Sequence, residues 1–214
     1  MNIESILYSL PGILIGLTVH EYCHALAAYK LGDTTARDMG RLTLSPLKHI
    51  DPIGFLFIII AGFGWAKPVR FNPDNLANYR RDKAIIAAAG PLSNLVLALV
   101  FIALLRGWLA LNGAPYPFIY SDLFSGFIII ILRAAVINLG LFIFNLLPLP
   151  PLDGSHIVFS GLNLGQDLEL KIMKVGAPAL FLIIIIQNNT GLTLLPIGSF
   201  ILAVFRLLLP QLSW

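Results

Sequence analysis

Apolar residues run along this chain in long blocks, not in alternation. The first block, Ile6 to Leu31, exceeds the roughly 20 helical residues that cross a hydrocarbon core. Ala84 to Leu105 is a second full-length block, interrupted by Gly90-Pro91, and a third runs from about Leu123 to Leu147. Each predicts a membrane-spanning helix, with Pro11-Gly12 a candidate kink near the start of the first. Ile53 to Ala66 is apolar over 14 residues and contains Gly54, Gly62 and Gly64. That length fits a re-entrant or interfacial segment better than a span. After Leu149, Ile172–Gln187 and Leu192–Leu209 flank Asn188-Asn189-Thr190-Gly191, which predicts a helical hairpin or a pair of spans.

Two stretches do alternate. Gly40-Arg-Leu-Thr-Leu-Ser-Pro46 has the period of a strand. Lys67-Pro-Val-Arg-Phe-Asn-Pro73 reads similarly, with Pro68 and Pro73 confining it to an edge or a boundary. Together they predict a small membrane-associated β-element. The segment Lys67 to Lys83 has 17 residues, too few for an accessory folded domain. The expected fold is a polytopic α-helical membrane protein forming a single domain over residues 1–214. Its three-span core covers about 6–156, followed by a C-terminal helical hairpin at about 172–210.

Composition agrees. Of 214 residues, 57% are hydrophobic and 12% charged, with mean hydropathy +0.85, against roughly 25% charged in a soluble domain. The lone Cys23 excludes an internal disulfide framework. Nine of the fourteen Lys and Arg residues lie between Lys30 and Lys83. Basic flanks mark the cytoplasmic side, so the first span runs outside to inside, the second outward and the third back. Residues beyond Pro148 then emerge on the same membrane side as His24. No basic helix with interleaved aromatics is present, so no nucleic-acid partner is expected. Arg133 falls within the third block. Either it faces the protein interior, or the span proper begins near it and Phe127–Leu132 lies at the interface.

The chemistry begins at His20-Glu21-Tyr22-Cys23-His24, an H-E-x-x-H motif inside the first block. On a helix, positions i and i+4 share a face, so both imidazoles can reach one zinc ion. Glu21, offset by one residue, can serve the attacking water as general base. Ionisable residues at membrane depth are costly and functional by default. A catalytic zinc takes three protein ligands and keeps a fourth position open. The best third candidate is Asp153, within Asn145-Leu-Leu-Pro-Leu-Pro-Pro-Leu-Asp-Gly154, where three prolines end the helix. Non-helical backbone at that depth is tolerated only beside protein or water.

With both motifs in place, the chain resembles the site-2 proteases, intramembrane zinc metalloproteases with an HExxH helix and a distal N-x-x-P-x-P-x-x-D-G motif. Gly40-Arg-Leu-Thr-Leu, Pro46–Gly54, Gly64-Trp-Ala-Lys-Pro-Val69 and Ala89-Gly-Pro-Leu-Ser-Asn94 are similar as well. The likeness is to the minimal prokaryotic branch, without PDZ or CBS domains. It implies one Zn2+ per chain held by His20, His24 and Asp153, with Glu21 activating water. It also implies that Asn145 hydrogen-bonds the scissile carbonyl or the oxyanion. The implied partners are the bilayer and a single-span transmembrane substrate, cut within or beside its span. The implied location is the cell membrane, multi-pass, with the active site toward the cytoplasm.

Plainer roles stand beside these. Asp153 could be a turn residue, Asn145 and Asn94 helix–helix hydrogen-bonding residues, and Cys23 a packing residue. Asn94 could instead help shape the pocket. His49 is expected at the surface or interface, and His156 in a solvated loop or second to the metal ligands. Arg133 is expected to snorkel or pair. The rival function is a non-proteolytic zinc carrier, although a relay of further intramembrane ionisable groups is missing. Unwound substrate backbone would need new partners, so Gly40–Pro46 or Lys67–Asn72 is expected to pair with it.

Overall fold

A computed structural model describes residues 3–61, 64–112 and 123–210. Three of its helices are long and apolar enough to cross a membrane: α1 (Ile3–Lys30), α5 (Tyr79–Asn112) and α6 (Leu123–Asn145). Between α1 and α5 come the short helices α2 (Thr35–Asp38), α3 (Pro46–His49) and α4 (Pro52–Ala61). After α6 follow α7 (Asp153–Leu162), α8 (Gln166–Thr190) and α9 (Ile197–Leu208). The chain is thus a multi-pass helical membrane protein, with the last two helices joined by a six-residue connection, 191–196.

The three spans pack on one another, and α1 runs unbroken through Pro11. Gly12 and Gly16, four residues apart, let α1 approach α6 closely at Ala134 and Asn138, the small-residue contact that membrane helices favour. Away from this seam, α5 and α6 interlock through Ala98, Ile102, Leu105, Ile128, Ala135 and Leu139, and Phe205 and Leu209 of the α9 end close that core. Leu92, Val96, Leu99 and Leu104 of α5 are exposed apolar residues, suited to lipid. Arg133 lies inside the α6 span and its Nη1 donates to Ser9 Oγ on α1 at 3.2 Å. Its head group therefore lies against a neighbouring helix.

The segment around α4 starts and finishes at one place. Ile50 and Ala66 form an isolated antiparallel bridge at its base, and the ten-residue helix above is too short to span. That bridge is the sole β pairing among the described residues, so the expected β-element is corrected. The reason lies in where the backbone groups go. Gly40 is left-handed (φ 67°) and Pro46 opens α3, which leaves only five residues between them. In the second stretch the Lys67 N–H donates to His49 O, that of Val69 to Glu21, and that of Asn72 to Asp33. Pro68 has no N–H. Hydrogen bonds that a ladder would need are spent on side chains and loop carbonyls.

Asp33, fully buried, ties these loops to the end of α1. It accepts from the Thr35 hydroxyl (2.6 Å), the Thr35 N–H (3.1 Å), the Asn75 amide (2.7 Å) and the Asn72 N–H (2.9 Å). Burial alone would raise its pKa, but these donors hold the carboxyl below its ordinary range. A depressed carboxylate contributes stability that is complete above about pH 4 and lost as pH falls through the lowered folded-state value. Asp33→Ala should therefore lower stability by about 1–3 kcal/mol at pH 7. The deficit relative to wild type should shrink in thermal melts below pH 4; a pH-independent deficit would contradict this reading.

Candidate metal centre

His20 and His24 sit one turn apart on α1, and both are buried. Their Nε2 atoms are 2.9 Å apart, and Asp153 Oδ2 lies 3.2 Å from the first and 3.4 Å from the second. Among the described residues this trio forms the one group of donors placed to hold a metal, each ligand atom within 4.8 Å of the others. A tetrahedral ion with bonds of about 2.0–2.1 Å sets its ligands roughly 3.3 Å apart, so the spacing fits.

The outer ring nitrogens show which protonation state the site needs. His24 Nδ1 meets the Ile86 carbonyl at 2.7 Å. A carbonyl only accepts, so Nδ1 carries the hydrogen, and in the neutral ring that metal binding requires Nε2 keeps its lone pair. His20 Nδ1 meets Asn94 Oδ1 at 2.6 Å, and the Asn94 amide donates to Gly16 O and Asn138 Oδ1 at 3.1 and 3.0 Å. The same logic makes His20 Nε2 a lone pair. Two lone pairs and a carboxylate oxygen therefore converge, and Asp153 Oδ2 is buried with no hydrogen-bond donor. Such a donor set repels itself unless a cation joins it. Two imidazoles, one carboxylate and an open fourth position suit zinc.

Local sequence explains how the ligands arrive. Pro91 opens the hydrogen-bond ladder of α5 near Ile86, since it cannot donate to Ala87. Gly90 makes room: a Cβ there would fall 2.3 Å from His24 Nε2 and 2.7 Å from His20 Cε1. After α6, the Pro148–Pro151 segment turns the chain back, and α7 begins at Asp153. Gly154 permits that reversal, because a Cβ would lie 2.3 Å from Leu146 O. Behind it, α8 lies against Pro150 through Gly176, and its Glu169 forms a buried ion pair with Lys83 of α5.

Glu21 is buried beside the trio in sequence but is not one of the converging donors. Its Oε2 accepts from the Val69 N–H at 2.8 Å. Buried Arg41 donates to Lys67 O in the same segment; burial pulls its pKa down, and the nearby Glu21 carboxylate pulls it back. Asn145 ends α6 half-buried, and its Nδ2 donates to Leu141 O at 3.0 Å. Cys23 lines a groove between α1 and α5 with Leu26, Ala89 and Ser93 and is outside the donor group.

The surface placement expected of His49 and the solvated loop expected of His156 are corrected. His49 is fully buried, its Nε2 within 2.7 Å of Thr43 O, because α3 folds back beneath the Arg41–Ser45 loop. His156 is on α7, half-buried, with Nδ1 shielded from solvent. Burial first, then the Lys83 ammonium, hold its pKa below the ordinary value. Asn94 holds the His20 ring as well as bridging helices. Asn138 and Arg41 were not singled out from sequence; an amide seven residues before Asn145 in an apolar span was the available signal.

A span-borne H-E-x-x-H pair closed by a distant carboxylate defines a membrane-embedded metalloprotease. Residues 8–187 match Peptidase family M50. The chain belongs to that family, the site-2 proteases. It is 37% identical over 195 residues to "Putative zinc metalloprotease YwhC" of Bacillus subtilis, covering 91% of this chain and 84% of that one. Rip2 of Mycolicibacterium smegmatis, named in the same words, is 32% identical over 72% of this chain and 57% of its own. Rip2 of Mycobacterium tuberculosis is 30% identical over 68% and 53%. No solved structure matches the chain.

Gly90→Ala tests the cradle, because helix propensity and site geometry pull in opposite directions. Alanine should favour the helix by roughly 1 kcal/mol, yet zinc content of the purified protein should fall well below one per chain. Full zinc occupancy in a folded Gly90→Ala protein would show that the rings do not need this space.

Proposed function

We propose that the chain is a zinc endopeptidase that hydrolyses a peptide bond within or next to a transmembrane segment of a membrane-protein substrate. The observation that carries this is the convergence of His20 Nε2, His24 Nε2 and Asp153 Oδ2 on one point between packed spans. Zinc, when bound, supplies a Lewis acid that makes water nucleophilic near neutral pH.

The other roles belong to the protein. Glu21, held by the Val69 N–H, takes the proton from the attacking water and delivers it to the leaving amine. Asn145 uses one amide hydrogen on Leu141 O and has a second to offer the scissile carbonyl as negative charge develops there. The Lys67–Asn72 segment lies against Glu21 through Val69, which favours it over Gly40–Pro46 as the segment that holds unwound substrate backbone; with the Lys67, Val69 and Asn72 N–H groups engaged within the chain, the groups it offers are its carbonyls and the Arg70 and Phe71 N–H groups. Nine of fourteen basic residues lie between Lys30 and Lys83, following the His24 end of α1. That bias supports a site facing the cytoplasm across a prokaryotic plasma membrane.

The test is cleavage of single-span proteins in liposomes by the wild type and by Glu21→Gln. The variant should keep its zinc and lose about 10²–10⁴-fold in turnover. Undiminished cleavage would remove Glu21 from the mechanism; zinc flux equal in both proteins, without cleavage in either, would indicate a carrier.

A second arm concerns the substrate. Replacing Gly, Asn or Pro near the mapped cut site with strong helix formers should slow cleavage, because a peptide bond in an intact helix is shielded. Equal rates on both substrates would rule out obligatory unwinding.

A further inference from the structure

We propose that Asn138, on the third span, is a positioning residue for the zinc ligand His20 and acts through Asn94. This rests on His20 being a ligand, as argued above. Both amides are fully buried between spans, where an unpaired polar group is costly, so every hydrogen must be accounted for.

The hydrogen bonds run inward from the backbone. Asn138 Nδ2 donates to Ala134 O of its own helix at 2.8 Å and makes a long contact with Gly12 O of α1 at 3.5 Å. Carbonyls can only accept, so the amide nitrogen must face them and Oδ1 must face the other way, toward Asn94. Asn94 Nδ2 then has two acceptors, Asn138 Oδ1 and Gly16 O. That leaves Asn94 Oδ1 against His20 Nδ1 at 2.6 Å. Reversing Asn94 would set its oxygen against two acceptors and its hydrogens against the ring. Backbone carbonyls of α1 and α6 thus set Asn138, Asn138 sets Asn94, and Asn94 sets the tautomer and rotation of His20. His24 needs no relay, since Ile86 O holds its ring directly. The relay also places the metal ligand under the control of the α1–α6 seam.

Two replacements cut the relay in different ways. Asn138→Leu removes all polar contacts; Asn138→Ser can still satisfy Ala134 O through its hydroxyl but is too short to reach Asn94. Asn138→Asp, as a neutral acid in this apolar place, can offer a carbonyl to Asn94 and a hydroxyl to Ala134 O, and serves as the rescue. Leu139→Ala, in the neighbouring apolar core, is the control for general destabilisation. Zinc affinity by chelator competition and the visible spectrum of the cobalt-substituted protein are read for each in the full chain.

Asn138→Leu and Asn138→Ser should bind zinc about 10-fold more weakly, the low end for outer-shell partners, with an altered cobalt spectrum. Asn138→Asp should restore both, and Leu139→Ala should lower the melting temperature while leaving both unchanged. If Asn138→Leu does not fold, Asn138→Ser carries the comparison. Wild-type affinity and spectrum in the serine variant would overturn the proposal, as would an equal loss in Leu139→Ala. Absence of zinc binding in the wild type would instead defeat the functional reading beneath it.

Discussion

In water, a histidine or an asparagine amide without a partner is tolerable; between packed spans it is not. The architecture follows from that constraint applied to one donor cluster. Each imidazole on α1 needs an acceptor behind it, and α5 provides both, a side-chain amide at Asn94 and a main-chain carbonyl at Ile86. Asn94 in turn needs acceptors, and finds them on α1 and α6. The carboxylate that completes the cluster must come from a chain reversal at depth, which the prolines and Gly154 make possible and α8 covers. The contacts that orient the three converging donors and those that pack the helices are therefore one set.

Much of this was legible in the order of residues. Block length predicts the three spans, and the i, i+4 spacing of His20 and His24 puts both on one face of α1. Asp153 stands out as an acid that follows a proline break in an apolar chain. Placement of the short connecting pieces was less legible. The alternation at Gly40–Pro46 and Lys67–Asn72 has the period of a strand, but pattern does not say where N–H groups will be spent, and here Asp33, Glu21 and His49 claim them. His49 reads as a polar loop residue because the fold-back that buries it is tertiary. Asn138 looked unremarkable for the same reason: its importance lies in Asn94, 44 residues earlier in the chain.

The C-terminal helices add a structural link between the family motifs and the rest of the chain. Lys83 of α5 and Glu169 of α8 form an ion pair buried on both sides. Losing either partner of such a pair strands a buried charge, so the pair is a specific contact between α8 and α5. Because α8 also contacts Pro150 and approaches Ser155 through Met173, it backs the segment that delivers Asp153. The last two helices divide the work, α9 closing the apolar core against α6 while α8 lies against the segment that precedes Asp153.

The account stands on a single coordination sphere assembled from α1 and the start of α7. X-ray absorption at the zinc edge, on the purified full-length chain in lipid, reads that sphere directly. The account predicts one zinc per chain with two imidazole nitrogens and oxygen neighbours only, the oxygen signal diminished in Asp153→Ala. A sulfur shell from Cys23, or an unchanged spectrum in Asp153→Ala, would contradict it.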